Sequence, residues 1–159
     1  MNVDRLRNTS YGPAEAFAYF IEACETVHLS EAMLDRCLPD DMHRSHFYIV
    51  NHLVRLGDGQ TPLQITAAMH VTKATVSNSL ALLEKRGFVK TRPCDLDARS
   101  KQVFLTERGR EFQKETIGSL AALFGSFLRQ DDYRIMGEAL PGLVAIRRLL
   151  QDNSGVAPG

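Results

Sequence analysis

Residues 61–109 carry the pattern that most constrains what this chain can fold into. Two stretches with helical spacing, TPLQITAAMH and TKATVSNSLALLEKRGF, run straight into a basic segment, VKTRPCDLDARSKQVFLT. In the first, Ile65 and Met69 share a face at i, i+4. His70 and Val71 make a turn, and Thr72 is a natural N-cap for the second stretch. There Val76, Leu80 and Leu83 form an inward face at i, i+4, i+7, and Gly87 is the expected C-terminal residue. Phe88 to Arg92 and Lys101 to Thr106 read as the arms of a hairpin with an Asp- and Arg-bearing tip. Helix, tight turn, helix and basic hairpin is the order of a winged helix-turn-helix, whose second helix enters a DNA major groove.

The charge distribution points the same way. The whole chain is neutral, with 19 Lys+Arg against 19 Asp+Glu. Residues 70–114, however, hold 10 basic and 5 acidic side chains, a net of +5. Residues 1–69 are at −4 and residues 115–159 at −1. A neutral protein that gathers its positive charge around one hairpin is built to meet a polyanion on one face.

The flanks read as helix. From Pro13 a long helix carries Phe17, Phe20, Ile21, Cys24, Val27 and Leu34 at helical spacing. Asp40 or Asp41 can cap the next helix, which bears Phe47, Val50, Leu53, Val54 and Leu56 and stops at GDGQ. After Thr106 comes a helix with Phe112, Ile117, Leu120, Leu123, Phe124, Phe127 and Leu128. Asp131 opens a last helix, which Pro141 should kink or interrupt. The expected class is α+β, mostly helical. Residues 1–12 are expected to be a flexible N-terminus, 13–38 and 107–150 a helical dimerisation region, 40–106 the winged lobe and 151–159 a disordered tail.

The terminal helices hold more apolar surface than one small lobe needs, and exposing it costs about 25 cal/mol per Å². An intramolecular bundle could bury it. A homodimer is the simpler answer, since a two-fold protein also matches a two-fold operator.

At 159 residues and 44% hydrophobic content the chain fits one domain, or two small lobes sharing a core. No apolar run approaches the roughly 20 residues of a membrane span. The start, MNVDRLRNTSYGPAEAF, lacks the apolar core of a secretory signal. Cys24, Cys37 and Cys94 are odd in number and widely spaced, so neither a disulfide framework nor a zinc knuckle is indicated. A soluble cytoplasmic protein is expected, with no membrane partner and no cofactor.

An enzyme is the main alternative of a different class, but no phosphate-cradling Gly loop, nucleophile elbow or paired-carboxylate motif is present. His43 and His46 lie i, i+3, and Asp40 or Asp41 could join them at a metal. An exposed polar face near a helix start explains the same residues, and no metal site is assigned.

With Val76, Leu80 and Leu83 inward, the opposite face of their helix presents Lys73, Ala74, Thr75, Ser77 and Asn78 after the Thr72 cap. Ser and Thr bond phosphates or bases, Asn pairs with adenine, and an Ala methyl meets a thymine methyl. Lys73 suits a phosphate. Lys90, Arg92 and Lys101 add phosphate attraction.

These residues resemble the MarR family of bacterial transcription regulators across about residues 13–150. The sharpest part is TPLQITAAMHVTKATVSNSLALLEKRGFV, closed by DARSKQVFLTERG. Asp-x-Arg before a strand ending in Leu-Thr-x-x-Gly is far more specific than a bare helix-turn-helix. Two departures stand out: His70 replaces the usual corner Gly, and Asn78 and Ala98 stand where basic residues are frequent.

The resemblance implies a dimer whose terminal helices form its base and whose winged lobes straddle a pseudo-palindromic operator in double-stranded DNA. It implies that Arg99 at the wing tip enters the minor groove, oriented by Asp97. It also implies a repressor released by a small aromatic acid-like or phenolic ligand, in a pocket suggested to use Phe20, His46 and Phe47. A cysteine-based redox sensor of the same fold is the alternative. Cys24 lies on the first helix, but FIEACETV lacks that subgroup's signature, and Cys94 lies in the wing.

Overall fold

The computed structural model describes residues 11–69, 71–93 and 101–153. The chain divides into two units, Met1–Arg36 and Cys37–Gly159. The first holds one helix, α1 (Pro13–Asp35). Pro13 pre-sets its first turn, and the Glu15 carboxylate accepts from the Gly12 amide at 2.8 Å. Phe17, Phe20, Ile21 and Val27 are all exposed on it.

The second unit runs α2 (Arg44–Leu56), α3 (Pro62–Met69), α4 (Lys73–Lys85), β1 (Val89–Pro93), β2 (Lys101–Leu105), α5 (Glu107–Gly125) and α6 (Gln130–Asn153). This is mostly helix with one antiparallel hairpin, the winged-helix order expected. Its core joins Ile49, Val50 and Leu53 of α2 to Ile65 of α3 and to Val76, Leu80 and Leu83 of α4. Val89, Val103, Leu105 and Phe112 close it from the hairpin and α5. The Phe112 ring stacks on Phe88 at 4.9 Å and meets Phe47 edge-on at 6.3 Å.

The α2 cap differs from expectation. Asp41 pairs with Arg86 instead, and His43 is the N-cap. His43 Nδ1 accepts from the Ser45 amide at 3.2 Å, and His46 Nδ1 accepts from the His43 amide at 2.8 Å. The His46 acceptor requires a neutral ring. Burial, then the neighbouring His43, hold His46 below its ordinary value of 6.5. A folded value below the unfolded one means the contribution is fully present above about pH 6.5 and is lost as pH falls through the folded value. Urea unfolding between about pH 7.5 and 5 should show that loss in the wild type. It should be weaker in His46→Gln, which keeps an N3 acceptor that does not titrate. Identical pH profiles would refute this role for His46.

The GDGQ segment does more than stop α2. Gly57 and Gly59 take φ of 98° and 84°, which only glycine adopts freely. They turn Asp58 back onto the hairpin, where Oδ1 accepts from the Leu105 amide at 3.0 Å and Oδ2 from Arg110 at 2.7 Å. Gln60 then bridges to Val103 as a short extra rung beside β2.

Thr106 caps α5, accepting from the Gly109 amide at 3.1 Å. Its own hydroxyl lies 2.6 Å from the Gly87 carbonyl and 3.1 Å from that of Phe88. Leu-Thr-x-x-Gly is therefore the joint between hairpin and α5.

Of the kink or interruption expected at Pro141, the interruption does not occur: α6 continues through it to Asn153. The carbonyl that loses its amide partner belongs to Gly137, an exposed residue with no side chain to crowd the ring. No residue of α6 is buried, and Tyr133, Ile135, Met136, Leu140, Leu143, Leu149 and Leu150 are exposed. Among the described residues no helix is long and apolar enough to cross a membrane.

Candidate nucleic-acid interface

The face of α4 is set by what its other side buries. Val76 and Leu83 are fully buried and Leu80 nearly so, with Ser79 beside them hydrogen-bonded to Ser45 at 3.2 Å. Lys73, Ala74, Thr75, Ser77 and Asn78 are all exposed. Ala74, Asn78, Ala81 and Lys85 run down the line directly opposite the buried row, with Ser77 and Thr75 on its two flanks. Thr72 caps the helix by accepting from the Thr75 amide at 3.1 Å, and the two hydroxyls lie 2.8 Å apart. Thr75 is thus engaged locally, while Asn78 stands free of the cap.

The hairpin separates the three cations read together from sequence. Pairing of Val89 with Leu105, Lys90 with Phe104, Arg92 with Gln102 and Pro93 with Lys101 fixes the alternation. Lys90 and Arg92 share one face with Phe104, whose ring lies 5.4 Å below the Arg92 guanidinium. Lys101 projects from the opposite face, toward Glu84 of α4. The Glu84 carboxylate accepts from the Thr91 hydroxyl at 2.7 Å and its amide at 3.0 Å. Those two bonds, more than Lys101, hold Glu84 below the usual carboxylate range. Glu84 and Thr91 therefore join the hairpin to α4, a link between residues seven apart that hydrophobic periodicity does not signal.

The wing-tip residues Asp97, Ala98 and Arg99, with Cys94 and the corner residue His70, lie outside the described residues. Of the residues suggested for a ligand, Phe20 is an exposed residue of α1. His46 caps α2 and Phe47 packs on Phe112. Cys24 is exposed and Cys37 half-buried, both as free thiols.

A helix on the hairpin side, one open polar face and cations on both faces of the adjoining wing define a winged helix-turn-helix. Residues 40–100 match the sequence model of the MarR family. Solved structures match the fold at low identity. Wild-type MarR of Escherichia coli in its apo form is 17% identical with a TM-score of 0.66, covering 85% of this chain and 98% of that one. Sco3205 of Streptomyces coelicolor, a MarR family regulator solved in complex with DNA, is 22% identical with a TM-score of 0.62 over 86% and 90%. PcaV of Streptomyces coelicolor, solved with its natural ligand, is 14% identical with a TM-score of 0.57 over 86% and 97%. Residues 40–100 are thus similar to the winged-helix module of the MarR family, and the chain shares the fold of these solved regulators.

Proposed function

We propose that the chain acts as a homodimer on a pseudo-palindromic operator, as a cytoplasmic repressor released by a small aromatic acid-like or phenolic ligand. The observation that carries DNA reading is the open row of α4. It is uncharged over Ala74, Ser77 and Asn78, where base edges are read, and flanked by Lys73, Lys90, Arg92 and Lys101 for phosphates. In the same reading Arg99, with Asp97, reaches the minor groove. The exposed apolar side chains of α1 and of α6 are the surfaces that a second copy covers. DNA and ligand complexes of Sco3205 and PcaV lend this reading support by likeness of fold.

Light scattering of the 17.8 kDa chain at micromolar concentration should return twice that mass. Titration of a labelled duplex from its own promoter region should saturate at two chains per duplex. A monomer in the first experiment, or one chain per duplex in the second, contradicts the proposal.

A further inference from the structure

The one acidic residue of α4 is Glu84, in the last turn of the helix that carries the open row. It is exposed, and a carboxylate there opposes a polyanion, so charge alone gives it no use at a DNA interface. Its geometry does. A single oxygen, Oε1, accepts both the Thr91 amide at 3.0 Å and the Thr91 hydroxyl at 2.7 Å. Hydrogen bonds to an ionised acceptor are about twice as strong as neutral ones.

Those bonds fall at a sensitive level of the hairpin. Its base is anchored in the core by Val89 and Leu105. Two residues further out, β2 is held along its outer edge, where Val103 accepts from the Gly59 amide and donates to the Gln60 carbonyl, each at 2.9 Å. Thr91 pairs with Val103 across the hairpin, so Glu84 holds the other edge at the same level. With one edge fixed, the second attachment sets the tilt of the hairpin against α4. Among the described residues nothing further out, at Arg92, Pro93, Lys101 or Gln102, hydrogen-bonds to α4. Arg99 follows in the sequence between Pro93 and Lys101.

We propose that Glu84 is a positioning residue for DNA binding, whose link to Thr91 sets the wing against α4 so that both reach one duplex at once. The inference rests on the DNA-reading proposal above and adds the residue that couples its two parts. Two linked binding elements strengthen each other only while their geometry lets both engage.

Fluorescence anisotropy on a duplex from the protein's own promoter region tests this, because charge and positioning predict opposite signs. Glu84→Ala should weaken binding by about tenfold or more, whereas loss of a carboxylate alone would tighten it. Glu84→Gln keeps Oε1 as an acceptor without the charge, and should bind at least as tightly as the wild type. Thr91→Val removes the hydroxyl, keeps a β-branched strand residue and changes no charge. It should weaken binding by about threefold or more, and it decides the matter if Glu84→Ala fails to fold. In an Arg99→Ala background Glu84→Ala should cost less than about twofold, since the contact it positions is gone. The single-base preference assigned to Asn78 should survive Glu84→Ala. Wild type that binds no duplex sinks the regulator reading, and this one with it. Wild type that binds while Glu84→Ala binds as tightly, loses the Asn78 preference or costs as much without Arg99 overturns the positioning role alone.

Discussion

Replacing Gly109 by Ala is expected to destabilise the winged unit by about 3 kcal/mol or more. A Cβ at this position would lie 2.2 Å from the Phe88 carbonyl oxygen, 3.1 Å from its carbon and 3.2 Å from Leu105 Cδ2. The obstruction is backbone, and that backbone is held. The Thr106 amide donates to the same Phe88 oxygen at 3.1 Å, and the Thr106 hydroxyl ties the adjoining carbonyls. Moving Phe88 would also disturb its stacking on Phe112. Gly118→Ala, on the same helix with nothing within 4 Å of the added atom, should instead stabilise by about 0.5–1 kcal/mol. Urea unfolding at one fixed chain concentration compares them, since dimerisation would otherwise shift the midpoint. Equal effects in the two variants would contradict the close joint between hairpin and α5.

DNA affinity should fall steeply with salt. Of the basic residues in 70–114, Arg86 and Arg110 are held by Asp41 and Asp58. Lys73, Lys85, Lys90, Arg92, Lys101, Arg108 and Lys114 remain exposed, and Arg99 lies in the sequence between Arg92 and Lys101. Two copies would neutralise about 8–12 phosphates, giving a slope of log K against log[salt] of about −7 to −11. Between about 50 and 200 mM salt that is a loss of about ten-thousand-fold or more. Fluorescence anisotropy on a promoter duplex measures it, and a slope near zero would remove DNA from the account. Within the set, Lys101→Ala should cost no more than Arg92→Ala, because Glu84 already faces Lys101.

What the sequence showed is what short-range periodicity encodes. Val76, Leu80 and Leu83 lie on one helix face whatever the rest of the fold does, so the inward side of α4 was readable at once. Thr72 caps the helix that begins one residue later, again a local matter. The errors come from partners far along the chain. Asp40 or Asp41 was the expected α2 cap, but Arg86 claims Asp41 from 45 residues away, and His43 takes the position. Asp58 looked like part of a stop signal, yet its oxygens serve Leu105 and Arg110. The glycines on either side of it were the available clue.

The site divides in the same way. That the hairpin was basic could be read directly. Which face each cation takes depends on register, and a hairpin with an eight-residue sequence gap between Arg92 and Lys101 does not declare its register. Only the pairing of Pro93 with Lys101 sets Lys101 apart from Lys90 and Arg92.

The open row of α4 as the base-reading surface is the centre of this account, and Asn78→Ala tests it most directly. Asn78 is exposed opposite the buried row and free of the cap that engages Thr75. Titrations of wild type and variant on the operator, on its single-base substitutions and on shuffled DNA isolate the reading term. The account predicts a loss of about 1–3 kcal/mol of operator preference, concentrated at one base pair per half-site, with shuffled DNA bound as before. An Asn78→Ala protein that is folded and dimeric yet keeps its full preference would contradict it, and would move the reading residues to Lys73, Ala74 and Ser77.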